Sequence, residues 1–109
     1  MCGRFSIYSP LAEIERRFSA RFDTDDSISA ENGYSPRFNA APMQYLPIIT
    51  NDSPGSIVMA RWGFLPIWSK DESMAGRMIN ARAEGISEKK SFKHYFLEKR
   101  CLIPANNFF

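Results

Sequence analysis

The sequence has little of what a metal site needs. Cys2 and Cys101 are its only cysteines, they stand near opposite ends of the chain, and His94 is its only histidine. Structural zinc sites gather closely spaced cysteine and histidine ligands, and no such pair is present. The composition therefore excludes a clustered zinc site, and we expect neither a metal nor another cofactor. Two unpaired thiols are typical of a reducing, intracellular compartment.

Long hydrophobic runs are also absent. A membrane helix needs ~18 or more apolar residues in a row, and no segment approaches that length. The first five residues contain no basic stretch followed by an apolar one, so they do not resemble a signal peptide. An excess of one charge is lacking too, because 14 Lys and Arg oppose 12 Asp and Glu, giving +2. We expect no membrane contact, and net charge alone does not indicate nucleic-acid binding.

Aromatic residues, by contrast, are plentiful. Nine Phe, four Tyr and two Trp make up 14% of the 109 residues, and hydrophobic residues make up 44%. This composition predicts a folded protein and excludes intrinsic disorder. The length fits one small domain with a modest core. The surplus of aromatic side chains indicates that some of them face a ligand.

The start of the chain predicts a strand and then a helix. Alternation over residues 3–8 is typical of a short strand. Ser9 and Pro10 predict a helix start, with Ser9 as the N-cap and Pro10 at the first helical position. The polar, turn-rich stretch 22–37 predicts a long loop.

Further strands are predicted downstream. The segments 45–50 and 56–63 are separated by a turn and read as two strands, and Pro47 requires an edge position or a bulge in the first of them. Two more short strands are predicted at 77–83 and 100–103.

The C-terminal segment is basic and ends on two aromatic residues. A helix is predicted from Ser91, within a run 88–100 that carries five basic and two acidic residues. Such a run is typical of a solvated helix face, and His94 is interpreted as a surface residue. We expect Phe108 and Phe109 to lie in a strand of a larger fold, because two exposed Phe side chains would forgo burial.

Cys2 is the most informative residue. Methionine aminopeptidases accept small residues behind the initiator, so removal of Met1 leaves Cys2 with an amine and a thiol on adjacent carbons. With an aldehyde, the amine forms an imine, and the sulfur then closes a thiazolidine ring in an intramolecular step of high effective molarity. The alternative interpretation is that Cys2 is a small, buried apolar residue near a chain end.

Five segments together resemble one family: residues 1–5 (Met-Cys-Gly-Arg-Phe), 37–42, 61–68, 79–84 and 100–105. Their order and spacing are similar to those of the SRAP family, the SOS-response-associated peptidases, also called abasic-site processing proteins. The resemblance covers residues 1–109 and about the N-terminal half of the single family domain. It implies an α+β fold with a curved, barrel-like mixed β core and flanking helices, incomplete here because half of that domain is covered.

The resemblance also implies an activity. Family members bind single-stranded DNA and capture the ring-opened aldehyde of an abasic site through mature residue one. The family name records a self-cleaving peptidase step that exposes this residue. The resemblance therefore implies a cysteine-type autopeptidase that also crosslinks to abasic-site DNA and has a lyase-like activity. It would act as a monomer on single-stranded DNA containing abasic sites, in the cytoplasm and at the nucleoid in a prokaryote.

Individual residues carry over from the family pattern. Cys2 matches the crosslinking nucleophile, and Asn39 matches the active-site asparagine, whose amide can hydrogen-bond the amine, the imine or the sugar hydroxyls. The resemblance implies DNA contacts by Arg4, Pro42, Met43, Trp62, Trp68, Asn80 and Arg82. Arginine can hold a phosphate through two parallel hydrogen bonds, and tryptophan can stack on a base. Pro42 and Met43 match an apolar wedge beside the lesion.

Structural interpretations of these residues remain open. Asn39 could satisfy the backbone of a turn, Arg82 could pair with Glu84, and Trp62 could belong to the core. The family also uses a glutamate and a later histidine at positions beyond Phe109. Those groups would serve in proton transfer, so we expect weak or absent catalysis from these 109 residues alone.

Two other functions remain open. An N-terminal-nucleophile glutamine amidotransferase also starts with Met-Cys-Gly and uses the cysteine to attack glutamine. A non-catalytic module that binds single-stranded DNA would use the aromatic and arginine surface and leave Cys2 without a role. Release of ammonia from glutamine would indicate the amidotransferase. Salt-dependent binding of single-stranded DNA without a covalent product would indicate the non-catalytic module.

Overall fold

The computed structural model describes residues 2–109. Removal of Met1, on which the aminothiol depends, concerns a residue outside the described part and stays a prediction. The strands are β1 (Phe5–Ile7), β2 (Arg21–Phe22), β3 (Arg37–Ala40), β4 (Tyr45–Thr50), β5 (Ser56–Arg61), β6 (Cys101–Leu102) and β7 (Asn107–Phe108). The helices are α1 (Leu11–Phe18), α2 (Ser27–Asn32) and α3 (Lys93–Glu98), and a 3₁₀ turn spans Glu72–Met74.

The strands form two sheets. In the first, β1 lies between β3 and β7 and is antiparallel to both. The second has the order β2-β5-β4-β6, with only the β2–β5 pair parallel. The expected α+β class is confirmed, but the sheets do not close into a barrel. β6 pairs with β4 and β7 pairs with β1, over two residues each, and neither strand joins the two sheets.

One hydrophobic cluster joins both sheets to α1. Its buried members are Phe5, Ile7, Ile14, Ala20, Ala40, Leu46, Ile49 and Ile57. Ile14 comes from the apolar face of α1, as its helical spacing with Leu11 and Phe18 predicts. Because β1 has a strand on each side, all three of its residues are buried. The start of β1 is therefore a rigid base for the residues that precede it.

Pro47 occupies the position that its chemistry requires. It lies opposite Met59 of β5, whereas β6 reaches only Ile49 and Thr50. At Pro47, therefore, β4 has a single neighbouring strand, and the missing N–H leaves no gap in a second ladder. β4 as a whole lies between β5 and β6, so the predicted edge position holds only locally, at Pro47 itself.

Ser9 does not cap α1, contrary to the prediction. The helix begins after Pro10 without a side-chain cap. The Ser9 hydroxyl instead accepts a hydrogen bond from the Asn106 side-chain N–H at 2.9 Å, and the side-chain oxygen Oδ1 of Asn106 accepts one from the Tyr8 N–H at 2.8 Å. A partner from the far end of the chain thus replaces the local cap.

The predicted loop 22–37 contains a helix. Asp26 caps α2 by accepting hydrogen bonds from the Ser29 N–H at 2.8 Å and the Ser29 hydroxyl at 2.7 Å. The buried Ser29 oxygen in turn accepts the Met59 N–H at 2.8 Å, which ties α2 to β5. These bonds, led by the Ser29 hydroxyl, lower the pKa of Asp26. The stabilisation of the fold that comes from the charged Asp26 carboxylate is present at pH values above the ordinary aspartate pKa. It is lost as the pH falls through the lowered pKa of Asp26.

Replacing Ser29 by alanine is expected to lower the free energy of unfolding by about 1–3 kcal/mol, because the Met59 N–H loses its buried acceptor. Urea denaturation followed by circular dichroism measures this loss. Ser27→Ala, at an exposed position of the same helix, is the matched control and should change stability little. Equal losses in the two variants would contradict the role given to Ser29.

Two other sequence predictions differ from the structure. Residues 77–83 form no strand: the Arg77 and Met78 N–H groups donate to the Met74 carbonyl in a turn, and no neighbouring strand pairs with the segment. The last helix begins at Lys93 and not at Ser91. The short strand near Cys101 is confirmed. Phe108 lies in β7 and pairs with Phe5, but Phe109 lies outside that strand, and both side chains are exposed, contrary to the burial expected of them.

Candidate functional site at the start of the chain

Cys2 lies on an open surface. It precedes β1 by three positions, and Cys2, Gly3 and Arg4 are all exposed. A Cβ added to Gly3 would meet no atom within 4 Å outside its chain neighbours, so the space beside Gly3 is open. The interpretation of Cys2 as a buried apolar residue is therefore wrong, and a ligand can reach its thiol.

Asn80 holds the backbone of Cys2. Its side-chain amide donates a hydrogen bond to the Cys2 carbonyl oxygen at 3.1 Å. The two residues lie far apart in sequence, and this contact fixes the segment that leads into β1. The resemblance implied a DNA contact for Asn80, whereas the structure places it beside the candidate nucleophile. That contact had no local sequence signal.

Asn39 lies on β3, next to the start of β1. Ala40 is opposite Phe5 in the ladder and points into the core, so Asn39 faces the other side and is exposed. Within residues 2–109 its amide makes no hydrogen bond, so it does not satisfy the backbone of a turn. No hydrogen bond joins it to Cys2 either.

The turn that carries Pro42 and Met43 is strained. The Gln44 N–H donates to the Ala41 carbonyl at 3.3 Å, with Pro42 and Met43 between them, and Met43 has a φ of 71°. This pattern is that of a type II turn, where glycine normally takes the third place. A methionine there costs about 1 kcal/mol of backbone strain. The strain holds a large, partly exposed apolar side chain at the tip of the turn.

Neighbouring contacts hold the strained turn in place. The Met43 N–H donates to the Trp62 carbonyl at 2.7 Å, and the Ala41 N–H donates to the Gln44 side chain at 3.0 Å. Gly76 allows the Met43 side chain to approach, because a Cβ there would lie 3.3 Å from the Met43 sulfur. No local sequence pattern predicts these contacts.

The two candidate phosphate-binding arginines are unpaired. Arg4 and Arg82 are exposed and form no ion pair within the described residues, so the pairing of Arg82 with Glu84 is not observed. Arg61, by comparison, bonds Glu72 at 3.0 Å, which raises the pKa of Arg61. Both guanidinium groups, of Arg4 and of Arg82, are therefore available to bind an anion.

The two tryptophans occupy different environments. The Trp62 ring lies 5.3 Å from the Phe5 ring and packs on the core, as its structural interpretation held. Trp68 is 52% exposed and lies in the loop after β5. Lys90 places its ammonium 5.5 Å from the centre of the Trp68 ring. Trp68 is thus the more accessible platform for a base.

The second cysteine is chemically distinct from the candidate nucleophile. Cys101 lies in β6 and is exposed as a residue, but its neighbours partly cover the sulfur. That partial burial raises the pKa of Cys101, and the charge of Arg100 offsets only part of the effect. Cys101 is therefore a poor thiolate donor and a suitable internal control.

Neither a clustered metal site nor a membrane-crossing helix occurs in the described part of the chain. No group of three or more His, Cys, Asp or Glu side chains is placed to hold a metal within residues 2–109. No helix in that range has the length and apolar character needed to cross a bilayer.

Comparison with known proteins identifies the family. The family model of the SOS response associated peptidases (SRAP) matches residues 1–109, and the chain belongs to this family. It is 43% identical over 110 residues to the abasic site processing protein YoqW of Bacillus subtilis (strain 168), an alignment that covers 100% of this chain and 47% of the relative. The chain thus spans about half the length of that curated relative.

Proteins of lower sequence identity also match this chain. The abasic site processing protein HMCES of Mus musculus is 28% identical over 127 residues, covering 100% of this chain and 36% of the mouse protein. A crystal structure of a protein from Bacteroides thetaiotaomicron superposes with a TM-score of 0.82 at 24% identity, covering 99% of this chain and 47% of the other. At that identity the superposition shows the fold alone.

Proposed function

We propose that this chain is the nucleophile-bearing part of an abasic-site processing protein. It binds single-stranded DNA and forms a thiazolidine crosslink between Cys2 and the aldehyde of an abasic site. The observation that carries the proposal is the exposed Cys2, held by Asn80 at the very start of the chain. Several relatives, YoqW and HMCES among them, are named abasic site processing proteins, which supports this substrate class.

Processing of Met1 comes first. Hydrolysis of the Met1–Cys2 peptide bond releases methionine and leaves a free amine on Cys2. The family description names a peptidase, so self-cleavage with the Cys2 thiol as nucleophile is the proposed route, and an aminopeptidase is the other. Either route leaves the same aminothiol.

The crosslink then forms in two balanced steps. The Cys2 amine adds to the aldehyde carbon of the opened sugar, and loss of one water gives an imine. The thiol next adds across the C=N bond: a C–S bond forms, and the thiol proton ends on nitrogen. Because amine and thiol share one residue, ring closure needs no further encounter. No redox partner is required.

Asparagine side chains assist these steps. Asn80 keeps the Cys2 carbonyl in one orientation and so fixes where the amine and thiol of the same residue lie. Asn39, whose amide makes no hydrogen bond within residues 2–109, would donate to the developing charge on the aldehyde oxygen or to a sugar hydroxyl.

The surrounding residues would hold the DNA strand. The proposed contacts are Arg4, Pro42, Met43, Trp62, Trp68, Asn80 and Arg82. The two arginines bind phosphates, and the Pro42–Met43 turn wedges beside the lesion, for which its strained, fixed backbone is suited. Trp62 would contact a base only with the edge of its ring, because the ring packs on Phe5. Trp68 is exposed and would contact a base with the face of its ring.

The decisive experiment incubates the purified chain with single-stranded DNA carrying one abasic site. The wild-type protein is expected to give a heat-stable species of reduced gel mobility, and Cys2→Ala to give none. Cys101→Ala is the matched control and should crosslink like the wild type. Equal yields from wild type and Cys2→Ala would refute the proposal, as would loss of the product in Cys101→Ala alone.

A further inference from the structure

Asn80 follows a turn, residues 72–78, that packs against the residues directly after β5. The carbonyl of Ala75, within this turn, accepts a hydrogen bond from the Phe64 N–H at 3.0 Å. Ala75 itself is buried, although most of its neighbours in the turn are exposed. Because one residue separates the turn from Asn80, the position of the turn determines where the Asn80 side chain begins.

Gly63 permits the close packing of the turn. A Cβ added to Gly63 would lie 3.0 Å from the Ala75 carbonyl oxygen and 3.2 Å from both the carbonyl carbon and the Cβ of Ala75. Carbon atoms at optimal separation lie about 3.5–4.0 Å apart, so these contacts would be repulsive. The φ of Gly63 is not in the left-handed region. The position therefore requires the small size of glycine and not its conformational freedom.

Other residues restrain the turn. Glu72, its first residue, bonds Arg61 of β5 at 3.0 Å. The Met43 side chain packs beside Gly76, where an added Cβ would lie 3.3 Å from the Met43 sulfur. Because the turn is restrained at both places, a displacement of Ala75 is not absorbed within the turn and moves the residues that follow it.

We propose that Gly63 is a positioning residue for the crosslinking reaction. By leaving room for Ala75, it places the turn 72–78 where the Asn80 amide reaches the Cys2 carbonyl oxygen at 3.1 Å. Its effect on the reaction passes through Asn80. The inference rests on the proposed function for the reaction, whereas the placement of Asn80 can be measured in the unreacted protein.

Kinetics of crosslinking test this role. Gly63→Ala is expected to lower the maximal crosslinking rate on abasic single-stranded DNA about tenfold, because it displaces Asn80 by a fraction of an ångström, and to change the affinity for undamaged DNA by less than about twofold. Gly55→Ala is the matched control, since a Cβ there would meet no atom within 4 Å. It should react like the wild type. Equal rates for the two variants would overturn the inference.

A double-mutant cycle with Asn80 separates positioning from a general loss of structure. In the Asn80→Ala protein, Gly63→Ala is expected to lower the maximal rate by less than about twofold, because the side chain that Gly63 positions is already absent. A tenfold loss in both backgrounds would overturn the inference, since the effect of Gly63 would then not pass through Asn80.

Nuclear magnetic resonance of the unreacted protein provides a readout that needs no crosslink. The side-chain NH₂ signals of Asn80 should shift in Gly63→Ala and keep their wild-type positions in Gly55→Ala. If circular dichroism shows that Gly63→Ala does not fold, Gly76→Ala takes its place. The methyl group added there meets the flexible Met43 side chain, so a smaller shift of the same signals is expected. Unchanged Asn80 signals in the folded variant would overturn the inference.

The proposed function and the role of Gly63 can fail separately. A wild-type chain that forms no crosslink, in which Gly63→Ala still shifts the Asn80 signals, would refute the proposed function and confirm that Gly63 places Asn80. Crosslinking through Cys2 at a rate that Gly63→Ala leaves unchanged would refute the role of Gly63 and leave the proposed function intact.

Discussion

Insertion of one glutamine between Met1 and Cys2 is expected to abolish the heat-stable crosslink, with a loss of yield of at least about 100-fold. Aminopeptidases reject a large residue behind the initiator, and intact-mass analysis selects the protein that has not removed the added residues by self-cleavage. In that protein the amine of Cys2 is still part of a peptide bond. A thiol alone forms only a reversible adduct with an aldehyde, and no ring can close. Gel analysis after heating measures the loss.

The control for this insertion restores the start of the chain. A protease site placed directly before Cys2, cleaved after purification, regenerates the free aminothiol and should return the crosslink to its wild-type yield. Thiol titration of the inserted protein should still count both cysteines, and its affinity for DNA should change little because Arg4 and Arg82 are intact. A heat-stable product from the inserted protein would mean that the thiol acts without the amine.

Asn80→Ala is expected to lower the maximal crosslinking rate by about 10–100-fold. The substitution removes the hydrogen bond to the Cys2 carbonyl, so the reacting groups lose their fixed orientation, and small displacements of reacting groups have effects of this size. The fold should persist, because Asn80 is exposed and lies outside the core. Rates measured over a range of DNA concentrations separate the maximal rate from the affinity.

Two variants sharpen this test. Asn39→Ala removes an exposed amide that makes no hydrogen bond within residues 2–109, and we expect a smaller decrease, of about threefold, in the same rate. Asn80→Gln retains the amide on a longer side chain and should recover part of the activity. If Asn80→Ala weakened DNA affinity and left the maximal rate unchanged, Asn80 would be a DNA contact only, as the family resemblance first implied.

Local chemistry explains which parts of the fold could be predicted. Pro47 lacks an N–H, so its place beside a single neighbouring strand follows from the residue itself. The stripe of Leu11, Ile14 and Phe18 has helical spacing, and it forms α1. Membership in the family could be read from ordered motifs that span the chain, and the family model confirms it.

Two of the wrong predictions have the same cause, which is a hydrogen bond between residues far apart in sequence. Ser9 is a good N-cap by type, but its hydroxyl accepts from Asn106. The polar stretch before β3 contains α2, partly because the Ser29 oxygen accepts the Met59 N–H from β5. Neither partner can be inferred from neighbouring residues. Local sequence patterns indicate which backbone conformation a residue prefers, whereas the tertiary fold determines which hydrogen-bond partner its side chain has.

In the candidate site, too, some features follow from local sequence and others depend on contacts between distant residues. The exposure of Cys2 agrees with a nucleophile placed at the start of the chain, which the sequence suggested from its position alone. The hydrogen bond from Asn80 to the Cys2 carbonyl joins residues far apart in sequence. Asn80, and not Asn39, is therefore the asparagine that contacts the candidate nucleophile. The strained φ of Met43 could not be foreseen, because methionine rarely takes the third place of a type II turn.

The most direct test is intact-mass spectrometry of the purified protein before and after reaction with abasic single-stranded DNA. We expect a protein lighter than its full sequence by one methionine residue, and an adduct equal to protein plus DNA less one water, with the attachment mapped to Cys2. A protein that retains its initiator, or an adduct attached anywhere other than the first residue, would contradict this expectation.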